Sequence, residues 1–200
     1  MTLSPVVLVG RTARALLVSS LALVAIACNT PQTGQVPFDA KNKPVDVDLA
    51  GQSYSATEML LQNTQQTLDM GRPILVASLV NVANLERSSN LGRVVSEQVG
   101  SRLSQLGYDT RETKLRGSFL IKEGAGEFAL SREIKAISAK QNAQAVIAGV
   151  YAVARSKVMV TLRLIRAKDG KILSSVDYTL PMGPDTAALL GPYDIVQYRQ

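Results

Sequence analysis

The chain has 200 residues, 46% of them apolar and 19% charged, with no His, no Trp and one Cys. That content supports a buried core; the missing His removes the commonest general base and metal ligand, and a lone Cys excludes an internal disulfide and the Cys-rich zinc sites. The net charge is +6, and setting aside Arg11 and Arg14 of the leader leaves +4 for residues 28–200, a mild excess suited to anionic surfaces.

Residues 1–27 read as an export leader. Arg11 and Arg14 make a positive region, and Ala15–Val24 is an apolar stretch too short to span a bilayer. Ala25-Ile26-Ala27 puts small residues just ahead of Cys28. The arrangement resembles a bacterial lipoprotein signal, in which the Cys thiol is acylated and becomes the new N-terminus. Ala25 departs from it, since Leu is usual there. Asn29 is not the Asp that retains such proteins in the inner membrane, so the resemblance implies the outer membrane, with several acyl chains giving a durable anchor. An export leader also argues against nucleic acid as the partner of the basic chain.

Residues 28–53 read as a flexible tether, punctuated by Pro31, Gly34, Pro37, Pro44 and Gly51. Within it, Val45–Leu49 alternates and allows a short edge strand. The folded domain, 54–182, opens on a helix. Ser55 and Glu58 have capping-box spacing, Tyr54 and Met59 stand at the staple positions, and Gly71 with Pro73 ends the helix. The apolar run Pro73–Val80 has strand length. After a polar break, Leu91, Val94, Val95, Val99, Leu103 and Leu106 define one face of a helix stopped by Gly107. A strand leading into a one-faced helix starts an α/β layer.

Tyr108–Thr113 reads as a second strand, and Leu115–Lys122 as strand or a turn of helix. Gly124-Ala-Gly126 opens a glycine loop running to Phe128. It lacks the third Gly of a dinucleotide site and the Lys-Ser/Thr of a P-loop, so it reads as a mobile loop with Ser131 capping a helix over Arg132–Gln141. Ala145–Val153 is a near-continuous apolar run, as in a strand covered on both faces. Val158, Val160, Leu162 and Leu164 alternate along the next strand, and Lys168-Asp-Gly-Lys171 signals a two-residue hairpin. The return strand places Ile172, Val176, Tyr178 and Leu180 on one face. The tail, 183–200, carries Leu189, Leu190, Tyr193, Ile195 and Tyr198 and either packs back or meets a partner. The expected fold is α/β (α+β): a mixed sheet of about five strands under two or three helices, ending in a three-stranded antiparallel meander.

Pro73–Val80, Asn84-Leu85, Ser88-Ser89, Leu91-Gly92-Arg93, Glu97-Gln98 and Ser101-Arg102-Leu103 together resemble the FlgO family of flagellar outer-membrane proteins. Ile121–Gly124, Gly126–Arg132 and Gly149–Val153 extend the resemblance, which runs from about Ser55 to Met182. It implies a fold similar to the N-terminal domain of TolB and to the peptidoglycan-synthase activator LpoB, and a role in motility at the outer membrane. It supplies no catalytic residue.

The residues themselves point away from an enzyme. Glu123 with Glu127 and Asp109 with Glu112 are the remaining paired carboxylates, and exposed acids are ordinarily solvated charges. There is no Gly-x-Ser-x-Gly elbow, and Ser138-Ala-Lys140 is one residue short of Ser-x-x-Lys. No catalytic residue, cofactor or metal is expected. Two binding roles fit: a structural or assembly part of the flagellum, or a periplasmic activator or scaffold docking on a cell-wall synthesis enzyme. The expected partners are the outer membrane through Cys28 and other envelope or flagellar proteins, a second copy among them. Arg93, Glu97, Arg132, Gly124, Gly126, Glu127 and Phe128 are the candidate contacts.

Overall fold

The computed structural model of the chain describes residues 41, 43–113, 120–123, 127–130 and 132–196. In order these form α1 (Leu49–Gln62), β1 (Ile74–Ala77), β2 (Val80–Asn81), α2 (Asn90–Gln105), β3 (Thr110–Thr113), β4 (Leu120–Glu123), β5 (Glu127–Leu130), α3 (Arg132–Lys140), β6 (Ala145–Val153), β7 (Lys157–Arg166), β8 (Ile172–Pro181) and α4 (Pro184–Val196). The main sheet runs β3-β1-β6-β7-β8, with β2 also on β6. β1 lies parallel to both β3 and β6, whereas β6, β7 and β8 form the expected antiparallel meander. β4 and β5 make a separate antiparallel ladder. The α+β class is as expected, with one more strand in the sheet and one more helix than the sequence suggests.

Strand alternation divides the core. Ile74 and Val76 of β1, with Ala145, Ile147 and Tyr151 of β6, meet the helices α1, α2 and α4 in the larger cluster. Leu75, Ala77, Val146 and Ala148 face the other way into a smaller cluster that also holds Ile165, against which Ile137 of α3 packs. β6 is therefore buried on both sides over Ala145–Ala148, as its continuous apolar run predicts. Val158, Val160, Leu162 and Leu164 share one face, each at most 1% exposed. Burial of each such aliphatic side chain contributes roughly 1.5–3 kcal/mol.

The first helix begins earlier than expected. Its N-cap is Asp48, so it starts inside the stretch read as tether, and Val45–Asp48 form no strand. The Ser55–Glu58 capping box does not form. Ser55 lies exposed within the helix, and Glu58 accepts from Arg102 Nε of α2 at 2.8 Å. Buried positions Ser53, Ala56, Thr57 and Leu60 fix the start, because their spacing of three and four needs the extra turn. The two buried hydroxyls are bonded: Ser53 donates to Gln98 Oε1 and Thr57 to the Ser53 carbonyl. The helix ends at Gln62, well short of Gly71.

The strand expected over Ile74–Val80 breaks at Ser78-Leu79 because α2 approaches the backbone there. Leu79 N–H donates to the Gly92 carbonyl at 3.3 Å. α2 starts at the N-cap Ser89, whose Oγ accepts from Gly92 N–H, and stops before Gly107, at φ 87°.

Two further details differ in the meander. The β7–β8 hairpin is not a two-residue turn: Arg166 N–H donates to Lys171 O, and the loop is 167–170, with Gly170 at φ 79°. A bulge follows, so Leu164 opposes Ser174 while Ile165 opposes Ile172. The extra residue turns Ile172 to the face of Ile165, away from Val176 and Leu180, and leaves it 46% exposed.

The C-terminal segment packs back on the domain. Leu190 is buried, with Leu189 and Ile195 against the larger cluster, and Gly191 (φ 77°, ψ 170°) kinks α4 before Pro192. Asp46 holds its start: Oδ2 accepts from Asp185 N–H at 2.9 Å, and Oδ1 accepts from Thr186 N–H and Oγ1 at 3.0 Å. Burial opposes the charge on Asp46, yet these hydrogen bonds outweigh it and set the carboxyl below its ordinary 3.8. A lowered carboxyl stabilises the fold above that ordinary value, and the contribution is lost as pH falls through the folded one. Asp46→Ala is expected to cost about 1 kcal/mol, as for other lost helix caps. Urea titrations should show the difference at neutral pH and show it shrinking below pH 3.8; a constant difference would mean the charge is irrelevant.

Candidate functional site

Among the described residues, the candidate contacts are spread over α2, β5 and α3. Arg93 and Glu97 are exposed one turn apart on α2, with Arg93 Nη2 donating to Asn90 Oδ1. Glu97 borders a shallow depression of about 270 Å³ with Gly100, Ser104 and Arg111. Glu127 and Phe128 are not loop residues: they open β5, opposite Glu123 and Lys122, because the ladder starts directly after the glycines. Arg132 is the first residue of α3. Gly124, Gly126, Ser131 and Cys28 lie outside the described residues. Of the carboxylate candidates, Asp109 Oδ2 accepts from Arg111 at 3.4 Å, and Glu123 stands opposite Glu127 in the β4–β5 ladder.

Two constellations emerge that the sequence did not announce. The first closes one end of the sheet. Tyr151, at 1% exposure, donates its hydroxyl to Asp194 Oδ2 at 2.7 Å and accepts from Ser89 N–H at 3.1 Å. Asn81 Nδ2 donates to Asp194 Oδ1 at 3.1 Å, and Asn81 Oδ1 accepts from Ala83 N–H. Arg87 stacks over the Tyr193 ring at 3.7 Å. Burial, reinforced by the Asp194 carboxyl and opposed by the Ser89 bond, pushes the Tyr151 hydroxyl up to about 12. At neutral pH it stays protonated and acts as a donor, tying α4 to β6 and to the N-cap of α2. This is a structural lock rather than a proton-transfer pair.

The second is a cleft of about 530 Å³ between the C-terminal end of α3, the 64–72 loop and the β7–β8 hairpin. Arg72, Lys135, Arg166 and Lys168 line it, with no carboxylate among the described lining residues. The cations sit on a built frame. Gln144 is buried; its Nε2 donates to the carbonyls of Asp69 and Arg72, and its Oε1 accepts from Asp69 N–H, which pins the loop carrying Arg72. Arg166 is held between Gln66 Oε1 and Asp169 Oδ1 at 3.1 and 2.9 Å. The Arg166 bond, with Lys171 N–H, lowers the Asp169 carboxyl. Ser138 in the lining is 1% exposed, and its Oγ has no hydrogen-bond partner. Its four cations are spread from position 72 to 168, which hides them from any local reading.

Among the described residues no group of three or more Cys, His, Asp and Glu is placed to hold a metal, and no helix is long and apolar enough to cross a membrane.

Comparison with known proteins bears on the role. A family model described as FlgO protein matches residues 54–185. No curated protein sequence matches the chain at a significant level. Among solved structures, the LpoB C-terminal domain from Salmonella enterica is similar at 15% identity and a TM-score of 0.48, covering 66% of this chain and 98% of its own. The PelC dodecamer from Paraburkholderia phytofirmans is similar at 19% identity and a TM-score of 0.41, covering 58% and 75%. A lipoprotein from Neisseria meningitidis is similar at 16% identity and a TM-score of 0.38, covering 57% and 84%.

Proposed function

The chain belongs to the FlgO family, and from that premise we propose that it is a non-enzymatic lipoprotein, anchored in the outer membrane through Cys28 and facing the periplasm, that serves as a structural or assembly component of the flagellum. The family match over residues 54–185 carries this reading. The position of the lone Cys, directly after a leader that ends in small residues, supports the anchor. A chain without His, whose buried Tyr–Asp pair ties elements together, supports a binding role. Arg93 and Glu97 on the exposed side of α2 are the proposed partner contacts, with Arg132 and the 124–128 segment beside the family motif. A lipid-tethered domain meets its partner at a high effective concentration, so modest contacts suffice.

A clean deletion should abolish swimming, and wild type but not Cys28→Ala should restore it. Restoration by Cys28→Ala would remove the anchor from the mechanism. Normal swimming with new sensitivity to cell-wall antibiotics would replace the flagellar role with the cell-wall one.

A further inference from the structure

The four-cation cleft is not explained by a motility role, and its chemistry is specific. We propose that it is a binding site for a phosphate-bearing anion, with Arg72 supplying a guanidinium fork, Arg166 the N–H donors left over from Asp169 and Gln66, and Lys135 and Lys168 point charges. Paired guanidinium and ammonium groups around one hollow match the oxygens of a phosphate group. Among the described residues the lining carries no aromatic ring on which a base or sugar would stack.

Local opposing charges do not cancel the site. Asp169 engages only Arg166 among the four cations, and the Asp69 carboxyl turns to Gly71 N–H. The C-terminal carbonyls of α3 would repel an anion, but those of Ile137, Ser138 and Ala139 are taken by the N–H groups of Gln141, Ala143 and Asn142. The second observation is Ser138. A buried hydroxyl without a partner is costly, and this one belongs to a residue that lines the cationic hollow, so an acceptor oxygen reaching it would satisfy it.

The phosphate has two possible sources, a soluble phosphate compound or an anionic lipid headgroup. The full chain in neutral detergent micelles would be titrated calorimetrically with pyrophosphate, and separately with micelles doped with phosphatidylglycerol, at constant ionic strength. Arg72→Glu with Lys168→Glu reverses two exposed cations and leaves the Arg166 and Gln144 bonds intact. Arg111→Glu with Arg155→Glu makes the same change in charge at exposed positions that do not line the cleft. The cleft variant should bind roughly tenfold or more weakly, and the control variant should bind as wild type does. A response to pyrophosphate identifies a soluble phosphate ligand, and a response to the doped micelles alone identifies a headgroup. No binding by wild type, equal binding by the cleft variant, or equal loss in the control variant overturns the site.

Discussion

Asp194→Ala is expected to lower the unfolding free energy by roughly 2–6 kcal/mol, because it orphans two buried donors at roughly 1–3 kcal/mol each. Those donors are the Tyr151 hydroxyl and Asn81 Nδ2, both enclosed where β6, β2 and the start of α2 meet α4. Tyr151→Phe removes the same hydroxyl from the other side. It leaves Ser89 N–H without its acceptor and Asp194 without its closest donor, so roughly 1–3 kcal/mol should be lost. The double variant should be less destabilised than the sum, since the two changes destroy one shared bond. Urea denaturation measures all three. Hydrogen exchange adds a local reading, with the turn after Gly191 losing protection first. A loss below about half a kcal/mol for Asp194→Ala, the range of an ordinary surface change, would show that α4 does not depend on this lock.

Gly92→Ala should run against the usual direction for a helix interior. In an open helix, replacing Gly by Ala gains about 1 kcal/mol. Here a Cβ would run into the Leu79 carbonyl, with Ser88 Oγ 2.9 Å away. The carbonyl is backbone at the β1–β2 break and cannot swing aside as a side chain would. Overpacking of this kind costs about 1–3 kcal/mol or more, which exceeds the propensity gain. A net loss of stability is therefore expected. Gly100→Ala, on the same helix with nothing within 4 Å of the new methyl, should be neutral or stabilising. If both variants gain stability in thermal melts, α2 does not pack so closely on the strand break.

The glycine in Leu91-Gly92-Arg93, visible in the sequence as part of the family pattern, thus acquires a physical reason that the pattern alone withholds. What was legible was periodic. Ala145–Val153 announced a doubly covered strand, and Val158 to Leu164 declared a face that the packing respects, because local alternation and tertiary burial agree there. The start of α1 was illegible for the opposite reason. Gly51 breaks the local helical signal, and the extra turn exists because Ser53 and Ala56 find α2 and the core to cover. Ser55 and Glu58 imitated a cap while Glu58 was committed to Arg102 on another helix. The Tyr151 lock and the cationic cleft join residues tens of positions apart, and spacing rules reach only a few residues along a chain.

The position of β1 between β3 and β6 bears on the order in which the domain is completed. The chain is made from its N-terminus at roughly 5–20 residues per second, and Ile74 must wait for Ala145 to gain its second neighbour. The long meander that α1 covers comes from the last third of the sequence, whereas α2 lies over β1 and β3. Until the meander emerges, Leu60 has no finished surface to bury against, and Val95, Val99 and Leu103 meet a β1 that still lacks its second neighbour. The hairpin of β7 and β8 closes from adjacent residues and is expected to form early, whereas the parallel insertion of β1 spans a long loop and is expected to form late. Folding is thus completed only after synthesis has passed the meander, and a holding chaperone has sticky helices to shield before then.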